Sequence, residues 1–191
     1  MPRRTMAVLA LAVSTLGLSP IALRAQAVSD SAEFVNWRGV QEYDIGQLRE
    51  KIMGVSRAIP KSKLSWRPMD GTRSFHDIFA HIAAEGIIEP TSFGVALPAG
   101  SLADFDAEEA RLRGLTDEQV LAAMDRSLES LGKTISGLSR QRANDPIVFF
   151  GVKTYMRGAI ALSMGDLHEH LGQLVSYARM NKIVPPWSRK S

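Results

Sequence analysis

The sequence has no cysteine. That excludes disulfide frameworks, thiolate-ligated zinc or iron–sulfur sites and thiol nucleophiles in one step. Histidine is scarce, with only His76, His81, His168 and His170 to offer imidazole chemistry. HExxH, GxSxG, GxGxxG and P-loop patterns are missing, so the common zincin, serine-hydrolase, dinucleotide and nucleotide-triphosphate readings have no foothold. No serine sits in a nucleophile-elbow context, which disfavours a Ser/His/Asp triad. Glycine (15) and proline (9) are at ordinary levels, excluding collagen-like and proline-rich chains. No apolar run reaches the roughly 20 residues that a membrane-spanning helix needs.

What is present describes one domain with a leader. The 191 residues are 45% hydrophobic and 23% charged, enough to bury a core. The chain begins with Arg3 and Arg4, continues with an apolar stretch from Met6 to about Leu18, and reaches Ala25-Gln26-Ala27. A basic start, a short apolar middle and a small-x-small end predict a secretory signal over residues 1–27 and a mature domain over 28–191. The arginine pair leaves the twin-arginine and general routes both open. The expected destination is periplasmic or extracellular, with no membrane association after cleavage. The formal charge of +3 comes from 23 basic and 20 acidic residues. Arg3, Arg4 and Arg24 all fall in the leader, which holds no acid, so the remainder carries 20 of each sign. A neutral domain without a basic, aromatic-interleaved patch argues against a nucleic-acid partner.

Apolar spacing predicts four helices and no substantial strand. Ile45, Leu48, Ile52, Val55 and Ile59 step by three and four within residues 31–59. Ser74 and Asp77 form a capping-box pattern ahead of Phe75, Ile78, Phe79, Ile82 and Gly86, with Pro90 expected to end that helix. Residues 90–115 read as a long connection with a short helix over 106–113. Thr116 and Gln119 repeat the capping pattern before Leu121, Met124, Leu128, Leu131, Ile135 and Leu138. The run Ile147 to Phe150 reads as a lid or a brief extended piece. A last helix is expected over about 154–181. The fold class is therefore all-α, a single four-helix bundle.

The chemistry-bearing set is small. Asp166 and His170 are spaced i, i+4 and share a helix face, whereas His168 points about 160° away from His170. His81 lies at the edge of the second helix's apolar face, with Asp77 and Glu85 at i−4 and i+4 as hydrogen-bond acceptors for its imidazole or plain surface acids. His76 reads as a solvated or capping residue. One reading joins His81, Asp166 and His170 around a divalent cation. Two imidazoles and a carboxylate suit zinc, nickel, iron(II) or manganese, and three protein ligands leave open positions. The other reading makes them hydrogen-bonded bundle residues. Gln173 and Tyr177 lie one and two turns beyond His170, lining the site or packing. Trp66 and Trp187 are expected to cover bundle ends.

Two stretches together carry a family resemblance. Leu64-Ser65-Trp66-Arg67-Pro68 with the run from Arg73 to Ala83, and the run from Asp166 to Leu174 with Tyr177-Ala178-Arg179 and Pro185-Pro186, resemble the second- and fourth-helix signatures of the DinB-like family. The resemblance implies a four-helix bundle with a long crossover between helices two and three. It also implies a metal held by one histidine from helix two and an i, i+4 pair from helix four. His81 and His170 fall on the outer positions, and Asp166 stands where the family usually has histidine. Leu171 stands where a basic residue is usual. Some relatives transfer or isomerise with low-molecular-weight thiols. An exported, cysteine-free chain points instead to a metal-dependent hydrolase or transferase acting on a small molecule that the sequence does not name. The alternatives are a non-catalytic metal-binding or stress-related structural protein, and an interaction module whose partner is a second copy, a homodimer joined by helix faces left apolar.

Overall fold

The computed structural model describes residues 20–189, with side chains from residue 32 onward. Most of the leader expected at residues 1–27 lies outside the described residues. The described chain is mostly helical: α1 (Pro20–Ala58), α2 (Phe75–Ser92), α3 (Phe105–Arg113), α4 (Asp117–Ser136), α5 (Arg140–Ala143) and α6 (Met156–Met180). No described helix is long and apolar enough to cross a membrane. Helix α2 packs against α3, α4 and α6, and α1 packs against α4 and α6.

The apolar spacings become the core. Ile45, Leu48, Ile52 and Val55 of α1 and Ile59 just beyond it are all buried, as are Met124, Leu128, Leu131, Ile135 and Leu138 along and just beyond α4. Both capping boxes form: Ser74 with Asp77 at α2, and Thr116 with Gln119 at α4. Each satisfies backbone N–H groups that have no partner inside the helix, which fixes where these helices begin. Where α2 crosses α4, Gly86 meets Ser127 so closely that a Cβ on the glycine would lie 2.7 Å from the serine Cβ. Trp66 covers one end of the core, edge-on to Tyr177 at 5.5 Å and tilted against Phe75 at 5.9 Å. Trp187, also expected to cover a bundle end, is 45% exposed.

Two local expectations need correction. Pro90 does not end α2, which continues to Ser92. A proline removes one N–H and crowds the carbonyl four residues back, but only two residues follow it in the helix, and its own carbonyl accepts from Phe93 and Val95 to close the end. The brief extended piece read at Ile147 to Phe150 is a strand, but the residues after it are not loop. Together they form an antiparallel hairpin, β1 (Pro146–Phe149) and β2 (Val152–Tyr155), with Phe149 opposite Val152. Phe149 is buried and stacks on Phe93 at 5.7 Å, anchoring the hairpin to the core. The pairing delays the start of α6 to Met156. Phe150 and Gly151 form the two-residue turn with φ of 47° and 77°. Both central positions of such a turn require positive φ, which suits glycine and strains phenylalanine.

Candidate metal centre

The site lies between α2 and α6. His81, Glu85 and Glu89 follow one another at four-residue steps, so they form a stripe along α2 beside its apolar face. Asp166 and His170 form the matching i, i+4 pair on α6. The two imidazole rings meet edge to face with centroids 4.8 Å apart. Glu85 sits between them. Its Oε1 is 2.8 Å from His81 Nε2 and 3.1 Å from His170 Nε2. Asp166 Oδ1 is 3.8 Å from the same His170 nitrogen.

Two overlapping groups of ligand atoms result. His81, Glu85 and His170 each offer one atom, all within 4.8 Å of one another, and so do Glu85, Glu89 and Asp166. The structure thus brings the expected His81 and His170 together directly. It sets Asp166 beside His170 and in the adjoining carboxylate group. By sequence Glu85 is an outer acceptor or a surface acid; in the structure it is buried at the centre. Glu89 carried no expectation, although its spacing from His81 and Glu85 was the available signal. His168 is set apart, exposed and bonded to Asp44 at 2.9 Å. His76 is also remote: it spans from Asp117 at 2.8 Å to the Arg113 carbonyl at 3.1 Å, pinning α2 to the junction of α3 and α4.

Outer contacts orient the imidazoles. His81 Nδ1 lies 3.0 Å from Glu109 Oε2 of α3 and 3.0 Å from Arg73 Nη2. Glu109 is also paired with Arg113. His170 Nδ1 has Gln173 Oε1 at 3.5 Å, and Gln173 in turn donates to the Tyr177 hydroxyl at 3.3 Å. Tyr177 is otherwise a packing residue. A histidine that presents Nε2 to a cation needs its Nδ1–H held by such an acceptor.

The electrostatics follow from burial. Burial by itself raises the Glu85 carboxyl, but hydrogen bonds from His170 and His81 overturn that and hold it down to about 2. Burial opposes charge on His170 too, yet the hydrogen bond and charge of Glu85 leave it raised. Glu89, 5% exposed, is pushed up to about 8 by burial, which a hydrogen bond from Ser163 only partly offsets. Asp166 is pushed up to about 6, by burial and then by its hydrogen bond and like charge with Glu85.

The donor set fits a divalent cation. It supplies two imidazole nitrogens and a carboxylate oxygen, the composition that borderline metals take. Two ligands about 2.1 Å from one ion at a tetrahedral angle lie roughly 3.4 Å apart. The observed 2.8 and 3.1 Å separations reach that with a few tenths of an ångström of opening. Glu85 Oε1, which faces both imidazoles, is the ligand atom; the buried Oε2 has no hydrogen-bond partner in the protein.

A cavity of about 600 Å³ opens onto the site, walled by Phe105, Phe150, Val152 and Leu162 with His81, Glu85 and Asp166 at its polar end. Another cavity, of about 430 Å³ between α2 and α4, has neither histidine nor carboxylate in its lining.

In this mostly helical chain, two imidazoles and a carboxylate between the helices form a group that could hold a metal ion. The DinB superfamily model matches residues 45–174, and the chain belongs to that superfamily. No curated protein matches it.

Proposed function

We propose that this is an exported metal-dependent hydrolase or transferase, built as a four-helix bundle from α1, α2, α4 and α6 with α3 riding in the crossover between α2 and α4. The observation that carries the reading is the convergence of His81 Nε2, His170 Nε2 and Glu85 Oε1 beside a cavity that His81 and Glu85 line. His81, Glu85 and His170 would hold zinc, nickel, iron(II) or manganese. Asp166, 3.8 Å from His170, is the alternative carboxylate for the third ligand. When bound, such a cation supplies Lewis acidity toward a substrate oxygen and lowers the pKa of a coordinated water.

The protein's own residues do the rest. Glu109 accepts from His81 Nδ1 and fixes the ring so that Nε2 faces Glu85. Gln173 does the same, at longer range, for His170. Phe105, Phe150, Val152 and Leu162 exclude water from one side of the cavity and suit a small molecule with an apolar portion next to a polar, reacting group. Export rests on Arg3-Arg4, the apolar stretch after it and Ala25-Gln26-Ala27. A non-catalytic metal-binding role is the second reading, and the apolar walls beside the ligand atoms favour the enzyme over it.

Metal analysis tests the proposal. Protein purified without chelator is expected to contain a divalent metal and to lose it in His170→Ala. Glu85→Ala is expected to reduce affinity far more than Asp166→Ala; the reverse order would make Asp166 the third ligand. Wild-type protein that takes up none of the four metals, and whose thermal midpoint ignores their addition, would sink the idea.

A further inference from the structure

We propose that Glu85, Glu89 and Asp166 form a second divalent-cation site beside the first, with Glu85 as the bridging carboxylate. The inference rests on the metal reading of His81 and His170 but concerns different atoms.

Three observations carry it. Glu85 belongs to both groups of converging ligand atoms, and Glu85, Glu89 and Asp166 each place an oxygen within 4.8 Å of the others. Glu85 uses one oxygen, Oε1, for both imidazoles and leaves Oε2 buried without a partner. Glu89 is 95% removed from solvent, and its Oε1 is likewise buried and unpartnered.

A bundle that needed only packing would put an apolar residue at position 89. A buried carboxylate oxygen left without a donor costs about 1–3 kcal/mol, and more when charged. The positive groups that face these carboxylates are the imidazoles of His81 and His170, which the first site claims. A cation among the three oxygens answers the orphaned atoms and the mutual repulsion together.

The two sites differ in chemistry. The first offers two nitrogens and an oxygen and suits zinc or nickel. The second offers only carboxylate oxygens and suits harder ions such as magnesium or manganese. Manganese fits both, and paired cations sharing a carboxylate can clamp the two ends of a substrate oxyanion.

Chelator-stripped, full-length protein titrated with Mn²⁺ alone separates the possibilities. The expected result is two ions per chain, with an electron paramagnetic resonance spectrum broadened by exchange between them. Glu89→Gln should bind one ion and give the six-line spectrum of isolated Mn²⁺. Mg²⁺ should displace one of the two ions from the wild type. A wild-type stoichiometry of one, or two ions retained in Glu89→Gln, overturns the second site while leaving the first intact. A stoichiometry of zero overturns both. If Glu89→Gln fails to fold, the wild-type count and spectrum still decide.

Discussion

Helix α2 presents two faces that obey different rules. Toward α4 it offers Phe79, Ile82 and Gly86, all buried, and the fit is close enough that the glycine hydrogen is the largest group Ser127 allows. Toward α6 it offers His81, Glu85 and Glu89. There, carboxylates are buried, two of their oxygens are unpaired and an acid is pushed to about 8. The first face is what a stable bundle needs. The second breaks the usual rules of polar burial within a few ångströms of the first. In a fold otherwise locally consistent, such violations mark the place where stability has been given up for function.

The largest expected effect lies on the α4 side. Phe79 is wholly buried and shares Gly86's face by its spacing of seven. Phe79→Ala should cost about 3–5 kcal/mol in thermal or denaturant unfolding, equally with and without metal. A loss that depended on metal would break the distinction between the faces.

The α6 side should instead respond to pH. Glu89 has a folded value of about 8, above the ordinary 4.5. Its raised value means that the native state holds a proton the unfolded chain has released. The stability this contributes is fully present below about pH 4.5 and lost as pH rises through 8. Asp166, raised from 3.8 to about 6, acts in the same direction over a lower window. Metal-free protein should therefore lose on the order of 3 kcal/mol between pH 5 and 8, nearly all of it from Glu89, since water reaching the part-exposed Asp166 discounts its share. Glu89→Gln should flatten that slope, as should a saturating divalent cation, because either removes the need for the proton. Thermal midpoints measured in chelator across this range check it, and a rising midpoint would contradict the assignment.

The two faces were also unequally readable. The α4 side was legible because its signals are local: apolar residues at steps of three and four, and capping boxes at Ser74 and Thr116. For the α6 side, His81, Asp166 and His170 stood out as rare residues in a helical register. Glu85 and Glu89 did not, because a glutamate on a helix is by default solvated, and only the path of α6 buries these two. Glu109 was beyond reach. It meets His81 across 28 residues, and that contact depends on where α3 lies within the long connection. The hairpin was hidden for another reason: phenylalanine at position 150 is a poor residue for the turn it makes.

Gly86→Ala sharpens the comparison next. The added methyl would sit 2.7 Å from Ser127 Cβ and Oγ, and the serine backbone lies 3.1 Å away. The helices must separate or shift, so the better helix propensity of alanine is outweighed. A net loss of about 1–3 kcal/mol is expected. If the shift reaches the opposite face, metal affinity falls as well; unchanged affinity would show that the two seams are mechanically independent.

The smallest effect has the opposite sign. Phe150 is 69% exposed at the hairpin tip, adopts φ of 47° and lines the cavity above His81 and Glu85. Exposure leaves the ring little packing beyond its edge contact with Phe149 at 4.5 Å, and positive φ costs a bulky residue about 1–2 kcal/mol. Asparagine adopts that conformation readily and precedes glycine in the most favoured turns of this kind. Phe150→Asn should therefore stabilise the protein slightly, by about 0.5–1 kcal/mol, with metal binding unchanged. The ring earns its place only if something enters the cavity against it. Once a substrate is found, the same variant should raise KM while leaving the metal content intact. A destabilised Phe150→Asn would instead place the ring among the packing residues, moving the boundary between the two sides of α2 outward to the hairpin.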